Sequence, residues 1–406
     1  MTDRLYYDNA YLWEFSAVVK ECRPAREENL WEVRLNRSAF YPTSGGQPFD
    51  TGVLIPVSFD REIHVVQVEA DREGEVWHTV DAELAEGIEV SGKIDGRRRT
   101  DHMEQHAGEH MLAGAIWETL RGTTIGLHLG KENSSIDVSM PDGRTRLTDE
   151  EIQRLEEIVN ARIRMDAPIR CWFPSPEELQ RLPLRKPPTV TEHVRIVAIG
   201  DFEMVACGGT HPSTTGRIGQ LKILSALPAR GKIRITFVCG ERAERLFRQY
   251  MRCADKVGNV LSVPTERLAS AAGELIKKLA EAERNLNQYE TARVLNAVRE
   301  NETDEDLPGL SLSVTEIEQA ESRPVAEAVS AYISEAGKVL LLWVDGRLTF
   351  ARSSDVDIDM RELIQRVGKG GGRADLAGGA GIRECVRVAR KILLTEGKGK
   401  SWKKRI

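Results

Sequence analysis

Two short motifs constrain this chain more than any other feature: His106-Ala-Gly-Glu-His110 and, far downstream, Cys207-Gly-Gly-Thr-His211. Histidines four apart on a helix share a face, so both imidazoles can reach one metal ion. A thiol and an imidazole four apart across two glycines suit a tight turn at a strand end. Together His106, His110, Cys207 and His211 make a His3Cys set, which is tetrahedral zinc chemistry. A fold that uses the set must bring a helix face and a distant turn together. Other readings stay open. One is a core cysteine beside an unrelated surface histidine. Another follows from the first motif, which also reads H-x-x-E-H, the inverzincin-like metallopeptidase pattern with Glu109 as base. That site needs three protein ligands and leaves Cys207 and His211 without work. A third is a non-catalytic RNA-binding module around a closed structural zinc.

The texture of the rest predicts an α+β chain in four parts. Residues 1–95 alternate with period two at 17–20, 30–36, 63–68 and 76–80, which predicts a small antiparallel β-barrel. Within it, Tyr41-Pro-Thr-Ser-Gly-Gly-Gln-Pro-Phe-Asp-Thr-Gly52 reads as a glycine-rich loop. Residues 96–250 predict an α/β metal-binding domain. A helix capped by Thr100 or Asp101 runs to about residue 120, with Met103, Ala107, Met111 and Ala115 at helical spacing. Strands are expected near 126–128 and 135–139, a helix over 148–165, a proline-rich loop over 166–190, and strands at 194–199, 218–225 and 232–238. In 255–305, Leu268, Leu275, Ala282 and Tyr289 recur every seven residues, with Ala272, Leu279 and Leu286 interleaved. This is a coiled-coil seam or the buried stripe of one long helix. The acidic stretch 300–306 reads as a linker, and 306–406 as a C-terminal α/β domain with a hairpin around Gly346 and a glycine-rich run from Gly368 to Gly381.

Composition narrows the function. Of 406 residues 41% are apolar, enough for real cores, which excludes wholesale disorder. The strongest apolar run, Val339–Val344, is too short to span a bilayer. No signal peptide is evident in Met1–Phe15, and the cysteines (22, 171, 207, 239, 253, 385) form no CxxC pair. Both points predict a reducing, cytoplasmic setting. A net charge of −6 argues against coating nucleic acid non-specifically but permits local basic patches. The candidates for phosphate are Arg97, Arg98 and Arg99, then Lys369 and Arg373 with the surrounding glycine amides, and the basic tail Lys398–Ile406.

The paired motifs resemble the editing domain of alanyl-tRNA synthetases and the freestanding AlaX proteins. The resemblance extends to Phe40–Gly52, Gly126-Leu-His-Leu-Gly130, Ser135-Ile-Asp137, Gly209–Gly219 and Gly231-Lys-Ile-Arg234. The Gly368–Gly381 run is similar to the DHH-associated domain at the synthetase C-terminus, so the whole looks like the long form of AlaX. Two departures stand out. The helix reads Gln105-His-Ala-Gly-Glu-His rather than the synthetase pattern, and no aminoacylation core precedes the barrel, so tRNA charging is not expected. The resemblance implies a zinc-dependent trans-editing hydrolase that cleaves seryl, and to a lesser extent glycyl, esters from alanine tRNA. It implies zinc on the four motif residues, with Gly45, Gly46 and Gln47 near the substrate. Ser135 or Thr210 would partner the serine hydroxyl, and His128 would touch the terminal ribose. For these residues a plain turn, a strand hydroxyl bonded to backbone and a core contact are the competing roles. The coiled coil and C-terminal domain suggest a homodimer.

Overall fold

In the computed structural model, the N-terminal alternation closes into a six-stranded antiparallel barrel: β1 (Glu14–Pro24), β2 (Trp31–Leu35), β3 (Gly52–Pro56), β4 (Ile63–Ala70), β5 (Val76–Val80) and β6 (Glu89–Ile94), in the order β1-β2-β5-β4-β3-β6. Alternate residues such as Val33, Leu35, Leu54, Val76, Val80 and Val90 fill its interior. The structure describes residues 1–59, 61–188, 190–397 and 402. These divide into two units, Met1–Cys253 and Ala254–Ile406.

Helix α1 (Gly96–Leu120) follows the barrel directly, and the cap is not where the sequence reading put it. The Asp95 carboxylate accepts from the Arg97 and Arg98 amides, while Thr100 and Asp101 lie inside the first turns. A capping acid before three arginines has no apolar residue after it to mark the start. Ala107, Met111, Leu112, Ala115 and Ile116 pack on a four-stranded sheet of β7 (Thr123–Leu129), β8 (Ser134–Ser139), β12 (Leu221–Ala229) and β13 (Lys232–Cys239), ordered β12-β13-β8-β7. Gly108 permits this contact, since a Cβ there would sit 2.2 Å from the Cys239 sulfur. Between β8 and β12 lie α2 (Asp149–Arg164) and a small sheet of β9 (Ile169–Trp172), β10 (Ile196–Ile199) and β11 (Glu203–Ala206). Helix α2 starts where expected, at a capping box in which Thr148 and Glu151 bond each other's backbone amides. The expected proline-rich loop is therefore interrupted by β9 and by one helical turn at Pro176–Leu179. Strand β9 is only four residues long and pairs with a partner distant in sequence, so no local pattern reveals it. Helix α3 (Gly240–Leu261) leaves β13.

The second unit holds α4 (Leu268–Glu300), then β14 (Glu302–Leu307), β15 (Leu310–Ile317), α5 (Ser322–Ile333), β16 (Lys338–Val344), β17 (Arg347–Arg352), α6 (Met360–Val367), β18 (Lys369–Gly372), β19 (Leu376–Ala380) and α7 (Glu384–Glu396). Its six strands order as β14-β15-β16-β17-β19-β18. The acidic stretch expected to be a linker is the edge strand β14. Its charge is tolerated because Glu302 pairs with Lys338 at 2.6 Å and Asp306 with Arg390 at 2.6 Å. The glycine run is a hairpin, β18 against β19, rather than an open phosphate loop. Helix α4 buries Val294 and Val298 against α5 and the sheet, whereas Leu275, Leu279, Leu286 and Tyr289 of the heptad series are exposed. The basic tail around Lys398, Lys400, Lys403, Lys404 and Arg405 lies outside the described residues.

Candidate metal centre

Helix α1 supplies His106 and His110 one turn apart, and the segment after β11 supplies Cys207 and His211. One ligand atom from each lies within 4.8 Å of every other. The Cys207 sulfur is 3.4 Å from Nε2 of His106 and 3.4 Å from Nε2 of His211. The ring centroids of the three histidines are 4.6 to 5.1 Å apart.

The turn between Cys207 and His211 exists because its glycines leave room. A Cβ on Gly209 would lie 2.2 Å from Cε1 of His106, so any side chain there would displace a ligand. The Gly209 amide donates to the Cys207 sulfur at 3.4 Å. Buried Arg195 donates to the carbonyls of Cys207 and Gly209, at 3.2 and 2.7 Å, and pins the turn from below.

The barrel loop reaches this turn through Gln47, which is fully buried. Its Oε1 accepts from Nδ1 of His106 at 2.8 Å and from the Thr210 amide at 3.1 Å, while its Nε2 donates to the Thr210 hydroxyl at 2.8 Å. That network fixes the amide orientation. It also fixes the His106 tautomer: Nδ1 carries the proton and Nε2 is left bare toward the sulfur.

The electrostatics favour neutral imidazoles. Burial holds His106 down at about 3, helped by the Arg195 charge, and holds His110 and His211 well below the usual histidine range. Burial also pushes the Cys207 thiol up to about 12, against the pull of the Gly209 amide and Arg195. Both ring nitrogens of His110 and Nδ1 of His211 are buried without a hydrogen-bond partner. A buried imidazole with neither nitrogen bonded, as in His110, is costly unless a cation occupies the centre it shares with the other three side chains. Three nitrogens and one sulfur fit a tetrahedral dication, so this cluster can hold a metal. Glu109 does not join the set. It is buried, with Oε2 3.4 Å from Nδ1 of His110, and burial raises its carboxyl to about 7.

The remaining sequence candidates fall in different places. Gly46, at φ 86°, closes on β7, where a Cβ would meet the Leu127 carbonyl at 2.8 Å; a Cβ on Gly45, at φ 57°, would meet nothing within 4 Å. Thr210 braces Gln47 rather than standing free. The pleat puts Ser135 and His128 opposite one another, on the face away from Ile136 and Val138, which pack on α1. The residue on the α1 face is Ser134, fully buried with an unpartnered hydroxyl, one position from the serine picked out by sequence. Arg99 is not available to RNA. It is fully buried, with Nε 3.0 Å from Asp50, and donates to the Ala10 and Ala39 carbonyls. Arg97 pairs with Glu241, Arg98 donates to the Phe49 carbonyl at 2.9 Å, and Arg373 pairs with Asp375 at 3.0 Å. Lys369 begins edge strand β18, whose ladder with β19 engages the glycine backbone. Sequence reading missed Arg195, since it belongs to no spaced motif.

Residues 194–236, which span the Cys207–His211 turn, match the family described as Threonyl and Alanyl tRNA synthetase second additional domain. Over 399 residues the chain is 30% identical to the alanyl-tRNA editing protein AlaX-L of Pyrococcus horikoshii, covering 93% of this chain and 94% of that one. It is 32% identical over 397 residues to an alanine–tRNA ligase of Pyrococcus abyssi, and 30% over 415 residues to that of Pyrococcus furiosus. It covers 42% and 43% of those two ligases, so it spans under half of their length. Among the described residues, no helix is long and apolar enough to cross a membrane.

Proposed function

The chain belongs to the family of the AlaX-type alanyl-tRNA editing proteins, and on that premise we propose that it hydrolyses the ester linking a wrong amino acid to alanine tRNA. The observation that carries the reading is the convergence of three neutral imidazoles and one cysteine on a single point, braced by Gln47 and Thr210. His106, His110, Cys207 and His211 would hold a zinc ion. Such an ion would supply positive charge to polarise an ester carbonyl or orient the substrate.

The remaining work falls to the chain's own groups. Gln47 holds His106 in the ligating tautomer. Arg195 and the Gly209 amide keep the cysteine and its turn in register. The unpartnered Ser134 hydroxyl supplies a buried polar group that a seryl side chain can satisfy and an alanyl side chain cannot. The need for such a second site is physical. A synthesis pocket rejects an analogue that merely adds a hydroxyl by only about 10². A site built to bond that hydroxyl inverts the preference, because alanine would leave a buried polar group unpaired. Serine is therefore the favoured substrate.

The test incubates the zinc-loaded protein with serine-charged and alanine-charged alanine tRNA and follows ester loss. Rapid loss of the seryl ester with the alanyl ester spared is expected. Persistence of both esters would overturn the reading.

A further inference from the structure

One turn before His106, α1 carries another histidine that the metal cluster does not use. His102 is 4% exposed and its Nδ1 has no hydrogen-bond partner. It lines a cavity of about 460 Å³, bounded by the start of α1, the β7–β8 turn and the start of α3. Two of the cavity's cations are spent on its own walls: Arg97 pairs with Glu241, and Arg242 pairs with Asp101 at 2.6 Å while donating to the Gly130 carbonyl. Arg98, Lys131 and Arg245 have no carboxylate within ion-pairing distance among the described residues. Against them stands Glu132; Asp95 is occupied in capping the helix.

The positive character continues along α3. Arg245, Arg248 and Arg252 recur at i, i+3 and i+7 and are all exposed, Arg248 lying 4.0 Å from Glu244. Phe247 and Tyr250, 66% and 64% exposed, lie on the opposite face of this helix. Arg245 both lines the cavity and begins this row, so the row extends the cavity's positive charge along one face of α3.

We propose that this cavity seats the phosphodiester backbone of the single-stranded 3′ end of the acylated RNA. Arg98, Lys131 and Arg245 neutralise its phosphates, and His102 presents the buried hydrogen-bonding nitrogen. The strand then leaves along the arginine face of α3. The polarity of the strand rests on the hydrolase reading: His102 and His106 are one helical turn apart, about 6 Å, a span comparable to the ribose that separates a 3′ ester from its own 5′ phosphate.

The test uses the full chain, an uncharged RNA hairpin with a single-stranded 3′ end, and the same hairpin made blunt. Affinity is read by fluorescence anisotropy across a salt series. Lys131→Ala combined with Arg245→Ala changes two exposed side chains, so folding is not at stake. The double variant should weaken binding of the overhanging hairpin about tenfold and flatten its log–log salt slope by about 1.4, the value for two single-strand phosphate contacts. The blunt hairpin should bind more weakly than the overhanging one and respond little to the variant. Equal affinity and slope in variant and wild type would overturn the proposal, as would equal binding of the two hairpins. The two readings fail separately. Overhang binding that depends on Lys131 and Arg245, without ester hydrolysis, defeats the hydrolase reading alone. Ester hydrolysis with RNA affinity untouched by the double variant defeats this proposal alone.

Discussion

At the scale of single residues, the positions that matter most are those that hold others. Gln47 offers no ligand atom to the cluster, yet it sets the tautomer of His106 and braces Thr210. Gln47→Met keeps the volume and removes the amide. It should lower zinc affinity by about 10- to 100-fold, the usual cost of losing such a partner, as read by competition with a chromophoric chelator. Wild-type affinity in the variant would show that His106 needs no brace. A second residue reports on the barrel. His78 is fully buried, with Nδ1 donating to the Val33 carbonyl and Nε2 accepting from the Ser38 hydroxyl, and burial lowers it to about 4. Above pH 6.5 neither the folded nor the unfolded form is protonated there. Between 6.5 and about 4 the unfolded chain takes up a proton that the folded chain refuses. Stability should therefore fall as pH drops through that window, with this residue contributing up to about 1.4 kcal/mol per pH unit. Denaturant titrations at several pH values should show a shallower slope for His78→Gln than for wild type.

At the scale of elements, local signals succeed where a helix or strand is defined by its own period and fail where a partner defines it. The Thr148 capping box and the apolar stripe of α1 are local and legible. The edge strand β14 is not, because an acidic run becomes a strand only when Lys338 and Arg390 stand beside it. Helix α4 is the instructive intermediate. Its heptad series marks a helix, but only its last turns, around Val294 and Val298, are covered. Leu279 and Leu286 are exposed, and they are where the homodimer expected from the sequence would pair. If that pairing forms, Leu279→Glu with Leu286→Glu should convert a dimer into a monomer in sedimentation experiments, with little change in thermal stability of the monomer. A monomeric wild type at micromolar concentration would end the idea.

At the scale of the whole molecule, the barrel and the four-stranded sheet with α1 belong to one unit, and the cores flanking the six-stranded sheet belong to the other. All four motif residues lie in the first. A ligand that binds only the folded state stabilises the unit it binds, by about 4 kcal/mol at a thousandfold excess over its Kd. Scanning calorimetry of the zinc-loaded protein before and after chelation should therefore shift the melting of the first unit downward and leave that of the second in place. A common shift of both would mean that the units unfold as one.

The sequence by itself determined what is local. Helix periodicity put His106 and His110 on one face, two glycines shaped the turn between Cys207 and His211, and residue chemistry named a metal for the set. Tertiary structure decided which distant groups complete it. Gln47 and Arg195 come from a barrel loop and from the segment just before β10, and no spacing rule connects them to the motifs. It also decided between neighbours. Strand pleating alternates faces, so Ser134 is buried on the α1 side while Ser135 lies beside His128 on the other. And it decided which charges are free: Arg97, Arg98 and Arg99 look alike in sequence, but burial against Asp50 makes Arg99 structural, pairing with Glu241 occupies Arg97, and Arg98 alone is left without a carboxylate. Charge is written in the sequence; whether water or another chain can reach it is settled only when the cores close.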